Sequence, residues 1–176
     1  MVKNKAVFLD RDGVLNIPKI YKKKSYAPLK YKNFKLYPSV KKLCKILKNR
    51  FLLIVVTNQP DVKKGKLKIS ELKKMHNKLF DQIQYDDLFY CTSLTTRSKF
   101  RKPNPGMLIK AIQKYKINPK KSYLIGDRWS DIEAGKRVGC RTIYIDRNYN
   151  EKKPYKFDFK AKSFSMGAEY ILNDKN

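Results

Sequence analysis

Ala6-Val7-Phe8-Leu9-Asp10-Arg11-Asp12-Gly13-Val14-Leu15-Asn16 is the stretch on which the reading of this chain turns. Four apolar residues in a row, ending abruptly on carboxylates, are the mark of a strand buried on both faces in a parallel sheet. A strand with one wet face would alternate apolar and polar residues instead. The same pattern recurs downstream. Phe51 to Val56 is a second apolar run, stopped by Thr57-Asn58-Gln59-Pro60. Leu88 to Cys91 reads as a third strand, Tyr123-Leu124-Ile125 as a fourth running into Gly126-Asp127, and Thr142 to Ile145 as a fifth.

Helical periodicity fills the intervals. Pro38 opens a helix with Val40, Leu43, Cys44 and Leu47 on one side. Ser70 and Glu71 start another, with Leu72, Met75, His76, Leu79, Phe80 and Ile83 on its face. Pro105 begins a third through Leu108, Ile109, Ile112 and Tyr115. A short helix from Ser130 to Val138 follows, and a last one is expected around Met166 to Leu172. Alternating strands and helices predict an α/β fold, one domain over residues 1–176, with a mostly parallel five-stranded sheet and helices on both faces. Ile17–Leu36 and Thr92–Pro105 are left irregular and read as functional loops.

Composition narrows the classes. At 176 residues, 41% hydrophobic and 12% aromatic, the chain can bury a core and is unlike a disordered tail. Its longest apolar run, Phe51 to Val56, is far too short for a membrane span, and Ala6–Leu9 is too short for a secretory signal. Three widely spaced cysteines, Cys44, Cys91 and Cys140, argue against a disulfide framework and for a cytoplasmic setting. The net charge of +27 raises the question of nucleic acid. Yet 34 of the 42 basic residues are Lys, spread along the whole chain, whereas base and phosphate recognition favours Arg. The excess is read as solvated surface.

Ligands in such sheets bind at the carboxyl ends of the strands. The polar residues there are Asp10 and Asp12, Thr57 and Asn58, Arg101 and Lys102 in the long loop, and Asp127 and Asp131. Carboxylates converging with a Lys and a hydroxyl describe a hard-metal site beside an anion pocket, and oxygen ligands suit Mg²⁺. An Asp can attack phosphorus to form an acyl phosphate while a second carboxyl protonates the leaving group.

These motifs carry a resemblance. Phe8-Leu9-Asp10-Arg11-Asp12-Gly13-Val14-Leu15-Asn16, Val56-Thr57-Asn58-Gln59, Arg101-Lys102-Pro103 and Gly126-Asp127-Arg128-Trp129-Ser130-Asp131 are similar, in that order, to the four motifs of the haloacid dehalogenase-like (HAD) phosphohydrolases, over residues 5 to about 146. Their wording, with Gly139-Cys140-Arg141-Thr142-Ile143-Tyr144-Ile145-Asp146, resembles subfamily IIIA. Within it the fit is closest to the D-glycero-D-manno-heptose 1,7-bisphosphate 7-phosphatase and histidinol-phosphatase-like group. The resemblance implies a Rossmann-like domain with no large cap and a Mg²⁺-dependent phosphatase. Asp10 would be the nucleophile and Asp12 the general acid and base. Thr57 and Lys102 would bind the phosphoryl oxygens, while Gly13, Asn58, Arg101 and Arg128 would meet substrate. Mg²⁺ would be held by Asp10, the Asp12 carbonyl, Asp127 and, nearby, Asp131.

Relatives in that group carry a zinc loop, Cys-x-His and then Cys-x-Cys, before the Arg-Lys-Pro motif. Here the loop is shortened and retains only Cys91, so no structural zinc is expected. The implied substrate is a small sugar phosphate, a heptose bisphosphate of surface-polysaccharide precursor synthesis, handled by a monomer with no membrane partner. Histidinol phosphate is the second reading, and a nucleic-acid-binding polynucleotide 3′-phosphatase, motivated by the charge, the third. His76, Cys44 and Cys140 are read as packing residues. Trp129 is left open between packing and the pocket mouth.

Overall fold

All four residues of Ala6–Leu9 are fully buried, as a strand with neighbours on both edges and cover on both faces must be. A computed structural model describes residues 4–174. From the first strand, β1 (Ala6–Leu9), the chain runs through a hairpin of β2 (Lys19–Tyr21) and β3 (Lys24–Tyr26), then α1 (Val40–Lys48) and β4 (Leu52–Asn58). The one-turn α2 (Pro60–Lys63) and the long α3 (Ile69–Ile83) precede β5 (Asp87–Cys91) and α4 (Gly106–Tyr115). The last third is β6 (Tyr123–Gly126), α5 (Trp129–Arg137), β7 (Arg141–Ile145), β8 (Phe159–Ala161) and α6 (Phe164–Asn173).

The main sheet has the order β5-β4-β1-β6-β7-β8, and every pairing in it is parallel. The chain starts at the centre, builds outward to β5, then returns to β6 and builds the other way. That reversal opens a crevice at the carboxyl end of β1, the usual ligand position in such sheets. Register sets its lining. Leu9 pairs with both Val55 and Ile125, so Asp10 emerges beside Val56 and Gly126. Its amide donates to Ile125 O at 3.0 Å.

Period-two alternation divides the core into two layers. Val7, Leu9, Leu53, Val55, Ile125 and Ile143 face α1, α3 and α6, with Val40, Leu47, Leu72, Met75 and Phe164 beneath them. Ala6, Phe8, Ile54, Val56 and Leu124 face α4 and α5 through Met107, Leu108, Ala111 and Ile132. Among the described residues no helix is long and apolar enough to cross a membrane, and no cap domain is inserted.

The sheet has six strands, not the expected five. The addition, β8, is a three-residue edge strand pairing with β7, too short and too broken by Lys160 to stand out as an apolar run. The hairpin inside the expected Ile17–Leu36 loop also went unread. Its turn residues Lys22 and Lys23 both have positive φ, +47° and +57°. Two-residue hairpins turn in this way, but Asn-Gly is the usual signal, not Lys-Lys. The final helix begins earlier than expected, at Phe164, because Ser163 Oγ accepts from the Met166 amide at 3.2 Å and caps it.

Helix α4 ends on exposed Lys116 in the left-handed conformation, φ +49°. A Cβ there is costly and glycine is the usual solution. Lys116→Gly should therefore raise unfolding stability by about 1 kcal/mol in chemical denaturation.

His76 is buried on α3, its Nε2 without a hydrogen-bond partner and its ring 5.4 Å from that of Tyr90. Burial, reinforced by the Arg11 cation, pushes its pKa down from 6.5 to about 3. Below pH 6.5 the unfolded chain takes up a proton that the folded one refuses, so this contribution to stability is lost as pH falls from about 6.5 toward 3. The melting temperature of His76→Phe should fall less steeply than that of wild type between pH 7 and 4.

Candidate active site

Three carboxylates, two just after strand ends and one in the first turn of α5, meet in the crevice. Asp10, Asp127 and Asp131 each offer an oxygen within 4.8 Å of the other two, and all three are buried. Lys102 enters from the loop before α4. Its ammonium lies 2.7 Å from Asp10 Oδ1, 2.7 Å from Asp131 Oδ1 and 2.6 Å from Val56 O. Burial opposes the charge on Lys102, yet Asp10 and Asp131 outweigh it and its pKa lies above the ordinary lysine value. Burial pushes the Asp10 carboxyl up to about 7 even though Lys102 pulls it down.

Asp127 has no such partner. No Lys or Arg among the described residues forms an ion pair with it, and burial, then the neighbouring Asp10 and Asp131, hold its pKa well above the usual range, against a smaller opposing pull from Arg128 and the Tyr149 hydroxyl. A buried carboxylate is expensive unless a cation meets it. Oxygen donors in this arrangement fit a hard divalent ion such as Mg²⁺.

Two glycines make the convergence possible. Gly13 has φ +90°, and a Cβ there would lie 1.8 Å from Asp127 Oδ2 and 3.0 Å from Tyr149 Oη. On Gly126 a Cβ would lie 2.1 Å from that of Asp131. Each glycine therefore admits a carboxylate that any side chain would displace. Asp131 also accepts from the Arg128 amide at 3.0 Å, which fixes the start of α5.

Asp12 points elsewhere. Its carboxylate accepts from Arg11 Nη2 at 3.0 Å on both oxygens, from Asn16 Nδ2 at 3.0 Å and from Gln59 Nε2 at 2.7 Å. Thr57 is buried next to Gln59, its hydroxyl accepting from Nε2 at 2.9 Å. Outward from these lies a cleft of about 1120 Å³, lined by Asp10, Asp12, Thr57, Asn58, Arg101, Lys102, Arg128 and Asp131 together with the hairpin. Six lysines, Lys19, Lys24, Lys30, Lys35, Lys64 and Lys66, also line it.

The predicted substrate contacts have structural duties besides. Asn58 brackets Lys102, donating to its carbonyl and accepting from its amide, both at 3.1 Å. Arg101 donates to Ser93 O at 2.7 Å, bracing the 92–105 loop. Arg128 donates to Ser25 O at 2.7 Å and pairs with Glu151 at 3.4 Å, tying the hairpin to the start of α5. Trp129 lines the cleft with Lys152 over its ring at 4.2 Å. In the shortened loop, Asn104 Nδ2 donates to Thr96 O at 2.6 Å and Ser98 O at 2.9 Å.

Sequence reasoning assigned no role to Arg11, Asn16, Gln59, Tyr149 or Glu151. The first three stand inside quoted motifs, and a polar residue flanked by site residues was the available signal. Tyr149 and Glu151 come from the β7–β8 connection, and no local pattern marks them.

Asp127→Asn removes the cost of burying a carboxyl that ionises freely only in the unfolded chain. It should stabilise the metal-free protein by about 1–3 kcal/mol. It should also abolish the rise in melting temperature that Mg²⁺ gives wild type, where 100-fold excess over Kd is worth about 2.7 kcal/mol. Thermal melts with and without Mg²⁺, after chelation, read both effects.

Comparison with known proteins agrees with this geometry. A HAD-hydrolase-like family model matches residues 99–164. The D-glycero-alpha-D-manno-heptose-1,7-bisphosphate 7-phosphatase of Campylobacter jejuni is 34% identical over 158 residues, 86% of either chain. The histidine biosynthesis bifunctional protein HisB of Bacteroides fragilis is 31% identical over 84% of this chain, but over only 41% of its own length. Among solved structures, D,D-heptose 1,7-bisphosphate phosphatase from B. bronchiseptica, complexed with magnesium and phosphate, superposes with a TM-score of 0.80 at 21% identity, covering 96% of this chain and 98% of its own.

Proposed function

The chain belongs to the HAD-like hydrolases, in the group of heptose bisphosphate phosphatases, and from that membership we propose that it is a Mg²⁺-dependent phosphatase removing the 7-phosphate of D-glycero-D-manno-heptose 1,7-bisphosphate. The observation that carries this reading is Lys102, held at 2.7 Å from Asp10 and Asp131 in a buried cluster that Asp127 completes. One fixed cation, one candidate nucleophile and oxygen donors suited to a divalent ion share a buried corner.

In this reading an Asp10 oxygen attacks phosphorus and the bond from phosphorus to the sugar oxygen breaks. The departing oxygen takes a proton from Asp12. Water then attacks the aspartyl-phosphate and passes a proton to Asp12, and the phosphorus–Asp10 bond breaks to release inorganic phosphate. Lys102 and the Thr57 hydroxyl would bind the phosphoryl oxygens, Lys102 as a point charge. Gly13, Asn58, Arg101 and Arg128 would meet the rest of the substrate. Mg²⁺, held by Asp10, Asp127, Asp131 and the Asp12 carbonyl, supplies neutralisation of phosphoryl charge when bound. Burial disfavours the ionised Asp10 that the attack needs, and the Lys102 ammonium favours it.

The lysines on the cleft wall suit the second phosphate of a bisphosphate. The reading includes no structural zinc: residues 92–105 contain no cysteine, Cys91 stands alone just before them, and Asn104 ties that loop through backbone carbonyls. It also includes a monomer working in the cytoplasm.

Phosphate release should require Mg²⁺ and vanish in Asp10→Asn. Lys102→Met should lose about 10²–10³ in kcat. Turnover of heptose 1,7-bisphosphate is expected to exceed that of histidinol phosphate and of a 3′-phosphorylated oligonucleotide. Turnover of only one of the latter would overturn the substrate, and full activity in Asp10→Asn would overturn the chemistry.

A further inference from the structure

Gln59 closes the second motif, and the proposed chemistry gives it no part. Its side chain is fully buried between two groups that do have one. The Nε2 donates to Thr57 Oγ1 at 2.9 Å and to Asp12 Oδ2 at 2.7 Å. One amide nitrogen therefore bridges the hydroxyl expected at the phosphoryl oxygens and the carboxylate expected to move the leaving-group proton. The Gln59 backbone is itself anchored, since its amide donates to Cys91 O at 2.7 Å and Pro60 opens α2 directly after it.

The other oxygen of Asp12 is held as well. Asn16 Nδ2 donates to Oδ1 at 3.0 Å, and Arg11 Nη2 reaches both oxygens at 3.0 Å. Arg11 is fully buried, with its guanidinium 5.5 Å from the centre of the Phe34 ring. Arg11 and Asn16 both come from the segment that carries Asp12. Gln59 alone among these donors comes from the neighbouring strand end, so only it fixes Asp12 relative to the β4 side of the crevice. Two amide hydrogens in a fixed plane suit that bridge. A carboxylate would repel Asp12, and an apolar side chain would leave Asp12 and Thr57 unlinked to each other.

We propose that Gln59 is the positioning residue of the acid–base group: its amide locks the Asp12 carboxylate to Thr57, so that proton transfer and phosphoryl binding occur in one register. This rests on the phosphatase reading above, and it adds a specific consequence. The proton from Asp12 matters when the leaving oxygen is a poor one, as in a sugar phosphate. It matters little when the leaving group is 4-nitrophenolate, which departs without it. Misplacing Asp12 should therefore separate two substrates that any general damage to the site would slow alike.

The test is the rate of Asp10 phosphorylation in a single turnover, for wild type and Gln59→Met, with heptose 1,7-bisphosphate and with 4-nitrophenyl phosphate. Met keeps the volume and removes the donors. With the sugar phosphate the rate should fall about 10²-fold. With 4-nitrophenyl phosphate it should stay within about threefold, giving a burst of 4-nitrophenolate before slow turnover, because the second step still needs Asp12. KM for the sugar phosphate should change little, KM for 4-nitrophenyl phosphate should fall with the slowed second step, and the Mg²⁺-induced rise in melting temperature should persist. Gln59→Glu keeps the shape and brings a negative charge against Asp12. It should show the same selective loss, and it serves if the Met variant does not fold. Equal losses on the two substrates, or none, would overturn the role of Gln59 while leaving the phosphatase reading intact. A wild type that forms no phosphorylated Asp10 at all would overturn both.

Discussion

A buried ammonium balanced between two buried carboxylates is the constraint around which this protein is arranged. Lys102 cannot be charged in the interior without Asp10 and Asp131, and those two cannot stand so close together without Lys102. Because the three come from the end of β1, the loop before α4 and the first turn of α5, satisfying the charge requires all three elements to be docked. Asn58 adds the link to β4 by holding both backbone groups of Lys102. The ion triad thus serves as a clasp across the topological switch point.

The same corner is left deliberately short of one positive charge. Lys102 pairs with two of the three clustered carboxylates, and Asp127 is held against Gly13 and Tyr149 with no ion pair among the described residues. Folding bears that cost in the absence of metal, which is the usual trade between stability and a preorganised site. Preorganisation is also visible one layer out. The Asp12 carboxylate has donors from three side chains, and Arg128, Glu151 and Ser25 tie the hairpin to the mouth of the cleft.

How much of this could be read in advance follows from the range of the forces involved. The buried strands were legible because a parallel strand covered on both faces must be continuously apolar, as Ala6–Leu9 and Leu53–Val56 are. The end of each run then pointed to Asp10, Thr57 and Asp127. β8 was not legible, since a three-residue edge strand needs only one partner and Lys160 can face solvent within it. The Lys22-Lys23 turn was hidden for a different reason: its left-handed backbone is imposed by strand pairing and carries no glycine to announce it.

The candidate site residues were therefore written in local sequence, as apolar runs closing on Asp10-Arg11-Asp12, on Thr57 and on Gly126-Asp127, with Arg101-Lys102 in a long loop. Which of these groups touch was decided only by the tertiary structure. Register alone sets Asp10 beside Val56 and Gly126, and it is there that Lys102 can reach two carboxylates and a carbonyl at once. The partnership of Gln59 with Asp12 spans 47 positions, and that of Tyr149 with the Gly13 corner spans a connection with no motif. Hydrogen bonds and desolvation act over a few ångströms, so contacts between segments distant in sequence exist only once the sheet has brought them together.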